Sequence, residues 1–107
     1  MNGLICSGGS RAYNNVATSN GDIVLARNPH LKYIRISNMS DNYVCLAPMQ
    51  ADVNGKCPIA FGQGIVLAPK GQPGWFIEFN NTNMFYSDIW AITEGSKTAN
   101  IAVLAGF

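Results

Sequence analysis

A chain of 107 residues makes one small domain. Hydrophobic residues form 48% of it and charged residues only 12%, about half the usual ~25% of soluble proteins. Seven Lys and Arg stand against six Asp and Glu, for a formal net charge of +1. That excludes a disordered chain held open by charge and a nucleic-acid binder held by phosphate contacts.

In chain order, residues 1–15 come first. They are rich in Gly, Ser and Asn (Asn2-Gly3, Ser7-Gly8-Gly9-Ser10) and read as a flexible N-terminal arm. Residues 16–107 read as a single β domain. Asn20-Gly21 is a hairpin-type turn, because both residues tolerate positive φ. Asp22 to Ala26 is a strand, broken by Asn28-Pro29. Leu31 to Ser37 is a second strand, with Leu31, Tyr33 and Arg35 on one face and Lys32, Ile34 and Ile36 nearer the other. Across the polar turn 38–42, Tyr43 to Leu46 returns, so 31–46 is expected to form a hairpin that Pro48 ends.

A longer connection spans 48–58, followed by a short expected strand at Ile59 to Phe61. Ile65 to Leu67 has a buried-strand pattern. Pro69 to Gly74 is dense in turn formers and forms a loop. Trp75, Ile77 and Phe79 share one face of the next strand, with Phe76 and Glu78 on the other. A strand around Ile89 to Ile92 and a last one over Asn100 to Leu104 complete the chain. Seven or eight strands with turns every 8–12 residues predict an all-β fold, an antiparallel β-sandwich of jelly-roll type.

The surface of this domain has little charge to cover it. Its polar supply is twelve Asn, seven Ser, four Thr and much exposed glycine backbone. Low net charge favours association. The composition fits a neutral monomer less well than a subunit with much of its surface covered by neighbours.

Catalytic and cofactor chemistry find no foothold. A nucleophile needs a base and an orienting group, and the single His30 follows Asn28-Pro29 in a turn. The carboxylates at 22, 41, 52, 78, 88 and 94 lie mostly in or beside turns. Gly62-Gln63-Gly64 lacks the Gly-Lys-Ser or Gly-Lys-Thr ending of a phosphate loop. Cysteines 6, 45 and 57 share no Cys-x-x-Cys spacing, so neither a closed disulfide framework nor a zinc site is expected. No apolar run approaches the ~20 residues of a spanning helix. The expectation is no enzyme, cofactor, metal, nucleic acid or membrane partner. Sugar binding through Trp75, Tyr86 and Trp90 remains an alternative.

One longer pattern runs from Arg27 through Leu31-Lys32-Tyr33-Ile34-Arg35-Ile36-Ser37-Asn38-Met39-Ser40, Val44-Cys45-Leu46 and Gly64-Ile65-Val66-Leu67-Ala68-Pro69-Lys70-Gly71. It continues with Trp75, Ile89-Trp90-Ala91-Ile92, Ala99-Asn100-Ile101-Ala102-Val103 and Gly106. This pattern resembles small β-sandwich virion proteins of tailed bacteriophages, notably the jelly-roll cement or decoration proteins of the head. Residues 48–62 and the Gly-rich start depart from it. The resemblance implies a non-enzymatic clamp on the outside of a capsid, bridging neighbouring major capsid subunits as a dimer or trimer. It also implies assembly in the host cytoplasm and residence in the virion. A tail, collar or fibre-base module on the same fold is the nearest alternative. Large aromatics and Arg commonly anchor interfaces. The candidate contacts are therefore Leu4, Ile5, Arg11 and Tyr13 on the arm, the 48–58 connection, and Trp75 and Phe76 beside the 69–74 loop.

Overall fold

Successive side chains of a strand point to opposite faces, so each strand here divides between a core side and an outer side. The computed structural model describes residues 9–80 and 87–107. Its strands are β1 (Ser10–Ala17), β2 (Asp22–Leu25), β3 (Tyr33–Asn38), β4 (Val44–Pro48), β5 (Ile65–Leu67), β6 (Phe76–Phe79), β7 (Ile89–Thr93) and β8 (Ala99–Gly106). They form two antiparallel sheets, ordered β1-β8-β3-β6 and β2-β7-β4-β5.

β1 pairs with β8, β2 with β7, β3 with β6 and β4 with β5. The chain is thus one long hairpin with residues 49–64 at its tip. It is rolled so that successive pairs fall in alternate sheets. β8 also pairs with β3, and β7 with β4, which knits the pairs into sheets. This is the order of an eight-stranded jelly roll.

The core lies between the sheets. Ile34 and Ile36 of β3, Ile101 and Val103 of β8, Val44 and Leu46 of β4, and Ile89 and Ala91 of β7 alternate inward and are buried. Each large aliphatic side chain so buried contributes roughly 1.5–3 kcal/mol. The expected faces of Trp75–Phe79 and Asn100–Leu104 are the observed ones, and Tyr33, Arg35, Phe76, Glu78, Ala102 and Leu104 lie on the outer side. Leu31, expected on the face of Tyr33, precedes β3 and is buried in the core instead.

Four local expectations differ from the structure. Asn20-Gly21 does not close a hairpin, because β1 and β2 belong to different sheets and only Gly21 of the two has positive φ. Residues 31–46 are not a hairpin, because β3 and β4 belong to different sheets. The 39–43 link is an arch across the sandwich, held by the buried amide of Asn38. Residues 59–61 form no strand; their bonds are local, from Ala60 N to Gln63 Oε1 and from Gln63 N to the Ala60 carbonyl. Residues 10–15, expected as part of the arm, are strand. From Ser10 onward the chain is β1, in continuous register with β8 from Ser10–Gly106 to Ala17–Ala99.

A candidate interaction face

The outer faces of the two sheets differ in kind. On the β2-β7-β4-β5 sheet, Cys45, Ala47, Trp90 and Ile92 point away from the core yet are buried. The long 49–64 connection turns back over this face. Gly64 N donates to Cys45 Sγ (3.2 Å), Cys57 Sγ donates to the Ile59 carbonyl (3.5 Å), and Gly55, Lys56 and Cys57 line a depression with Trp90. Gly21 meets Cys57 from the other side. A Cβ at Gly21 would overlap the Cys57 side chain, and its φ of +83° also suits only glycine. These contacts cover the middle of this face, while Ile23 on β2 and Val66 on β5, at its two edges, stay 44% and 45% exposed.

The outer face of the β1-β8-β3-β6 sheet is open. Val16 is 55% exposed, Leu104 42% and Phe76 38%. Ala12 and Ala102 lie between them, with Asn14 and Asn100 supplying neutral amides. The only charges among the strand residues of this face are Arg35 and Glu78, which oppose each other across the β3–β6 ladder. The Arg35 guanidinium stacks over the Phe76 ring, 4.4 Å from its centroid. Glu78 Oε2 accepts from the Tyr33 hydroxyl (2.8 Å). Trp75 packs edge-on against Phe76, with centroids 5.4 Å apart. The face is therefore an apolar-and-amide surface on which Arg35 stacks on Phe76 and Glu78 accepts from Tyr33.

The candidate contact residues fall in two places. Trp75 and Phe76 are at the β6 edge of this sheet. Arg11 and Tyr13 are at its opposite edge, on β1, with two strands between. At roughly 4.8 Å per strand, that separates them by about 14 Å. Arg11 and Tyr13 also point to the other side of the sheet, in register with the core residues Ala105 and Val103. They stay exposed because the short β2 covers only the far end of β1. Arg11 lies over the Phe107 ring, 5.9 Å from its centroid, and Tyr13 lines a depression with Ile23, Arg27 and Phe107. Leu4 and Ile5 lie outside the described residues, as does Tyr86. Sequence reasoning missed Val16 and Leu104. Their outward alternation was readable, but which outer face stays uncovered was not.

Many of the other polar groups have structural partners, while Arg35 Nε and Trp90 Nε1 are buried without a hydrogen bond. Asp22 Oδ2 accepts from Thr18 N and Oγ1 (2.8 and 3.0 Å) and closes the β1–β2 turn. Asp88 Oδ1 accepts from Arg27 N (2.7 Å). Asp52 Oδ1 accepts from Lys56 N and Asn54 N, and these backbone bonds hold its carboxyl below the ordinary carboxylate value. Glu94 pairs with Lys97 at 3.5 Å on the surface. His30 is exposed, its N–H bonded to Asn28 Oδ1 (2.8 Å). Cys45 and Cys57 are free thiols. Among the described residues, no group of three or more His, Cys, Asp or Glu is placed to hold a metal ion. Among them, too, no helix is long and apolar enough to cross a membrane. Trp90, 6% exposed, offers no open ring for a sugar to stack on.

No protein-family model matches this chain, and no curated protein matches it in sequence. Among solved structures, it is similar to one described as "Bacillus endospore appendages form a novel family of disulfide-linked pili". The TM-score is 0.49 at 14% identity, over 90% of this chain and 81% of that one.

Proposed function

We propose that this chain is a non-enzymatic structural subunit of a tailed-phage particle, a cement or decoration protein that sits on the outside of the head and bridges neighbouring major capsid subunits. The observation that carries the reading is the open outer face of the β1-β8-β3-β6 sheet. It combines exposed Val16, Leu104 and Phe76 with neutral amides, while the middle of the opposite outer face, at Cys45, Ala47, Trp90 and Ile92, is covered by the chain itself. A face of that kind suits a neighbouring protein surface better than a charged or small-molecule ligand. The sequence resemblance to head decoration proteins supplies the kind of particle. A clamp that binds only the assembled lattice stabilises it by linkage, and many copies each contribute modestly.

The test is to mix the purified chain with undecorated phage heads and image them. Density at regular lattice positions is expected. Leu104→Asp, which puts a charge on the open face, should lower occupancy at least about tenfold. Val66→Asp, on the outer side of the other sheet, should leave occupancy unchanged. Absence of head density, or equal loss with both variants, overturns the proposal.

A further inference from the structure

A sheet of this kind has edges, and they are protected unequally. β5 has three residues, β6 has four, and β2 has four with an irregularity between Ile23 and Leu25. Short or bulged edges resist pairing with other strands. β1 is different. It has eight residues, no Pro, no Lys and an unbroken register with β8. Among the described residues, no strand pairs with its other side.

Which backbone groups face that side follows from the ladder. Phe107 N donates to the Gly9 carbonyl (2.9 Å), so Gly9 and Phe107 are a hydrogen-bonded pair. Bonded and non-bonded pairs alternate in an antiparallel ladder. The odd-numbered residues of β1 therefore bond to β8. The N–H and C=O groups of Ser10, Ala12, Asn14 and Val16 point to the free edge.

We infer that this edge is a self-association surface, which pairs β1 with β1 of a second copy, antiparallel about a two-fold axis at Tyr13. A second copy fits because this arrangement is self-complementary. Ser10 faces the partner's Val16, and Ala12 faces the partner's Asn14, so all four residues exchange bonds in both directions. Residues that face each other keep the same side of the sheet, as pleating requires. The single charge, Arg11, faces the partner's Asn15 rather than another cation. Tyr13 faces the partner's Tyr13 in a non-bonded pair, where opposed side chains are closest. The two open faces would then join into one eight-stranded surface. This inference stands on the edge geometry alone and does not need the capsid reading.

Sedimentation equilibrium on the full chain tests it. The expected mass is twice 11.5 kDa. Asn14→Pro removes an N–H that points to the free edge, where proline is tolerated. It should keep the circular dichroism spectrum and raise the dimer dissociation constant at least about tenfold. In a Cys6→Ser, Cys57→Ser background, Tyr13→Cys should cross-link two chains on oxidation, while Ser10→Cys, placed at the far ends of the pairing, should not. A one-chain mass at concentrations up to several hundred micromolar overturns the inference. So does a dimer that Asn14→Pro leaves intact, or one that cross-links equally through both positions.

Discussion

Asn38 is wholly buried, yet each polar atom of its amide is bonded. Its Nδ2 donates to the carbonyls of Asn42 (2.6 Å) and Ala68 (2.9 Å). Its Oδ1 accepts from Ser40 N (3.1 Å) and Ser40 Oγ (2.7 Å). One side chain thereby fixes the arch after β3 and ties it to the segment after β5. Asn42 Nδ2 extends the tie to the Thr98 carbonyl (2.8 Å) in the β7–β8 turn. Asn38→Ala would remove the bonds to the Ala68 carbonyl and the Ser40 N–H in a poorly solvated place, and leave the Asn42 carbonyl only its bond from the Ser40 hydroxyl. The expected loss is about 3 kcal/mol in urea unfolding, with a fall in thermal midpoint of more than about 10 °C. A loss under about 1 kcal/mol would show that water or a shifted backbone replaces the amide. The sequence marks Asn38 as the first residue of a polar turn and no more. Asn is common in turns for its local bonds, and only the long-range partner at Ala68 makes this one central.

At the scale of elements, most strands were legible, β1 and the absent strand at 59–61 excepted, and strand partnership was not. Trp75-Phe76-Ile77-Glu78-Phe79 alternates in sequence, and its faces follow. A turn such as 38–42 has the same composition whether it closes a hairpin or arches between sheets, and the choice depends on distant strands. The 49–64 connection shows the same limit. Its residues carry turn signals, but its role is to cover Cys45, Ala47, Trp90 and Ile92. That role is separable from the fold. Leu46 and Ile65 face each other across the β4–β5 ladder, so a short turn in place of residues 49–63 would still close the hairpin. In a Trp75→Phe background, Trp90 is the sole tryptophan and reports on its own cover. Its fluorescence is expected to be blue and poorly quenched by acrylamide in the full chain. The loop replacement should shift it to the red, raise quenching and lower stability by several kcal/mol, at roughly 25 cal/mol per Å² of apolar area uncovered. Unchanged emission would mean that another segment shields the ring.

At the scale of the whole molecule, the charge count acquires a location. Seven cations and six anions are few for 107 residues, and the structure engages many of them within the chain. Arg11 and Arg35 lie over aromatic rings, Asp22, Asp52 and Asp88 accept from backbone N–H groups, Glu78 accepts from Tyr33, and Glu94 pairs with Lys97. The open sheet face carries one cation and one anion among its strand residues, set opposite each other. Composition made the neutrality readable. It left open which surface the neutrality serves, because a loop covers the middle of one outer face and not the other. A partner that binds the open face would meet dispersion, apolar contact and amide hydrogen bonds, with little net charge to steer it. Screening acts on separated, exposed charges, and its range falls from about 10 Å at 0.1 M salt to about 3 Å at 1 M. Occupancy on phage heads should therefore depend weakly on salt, changing less than about threefold in affinity between roughly 0.05 and 0.5 M sodium chloride. The measurement is a binding isotherm on heads at several salt concentrations. A fall of tenfold or more over that range would place the attachment on charged groups, and would point away from the open face of the β1-β8-β3-β6 sheet.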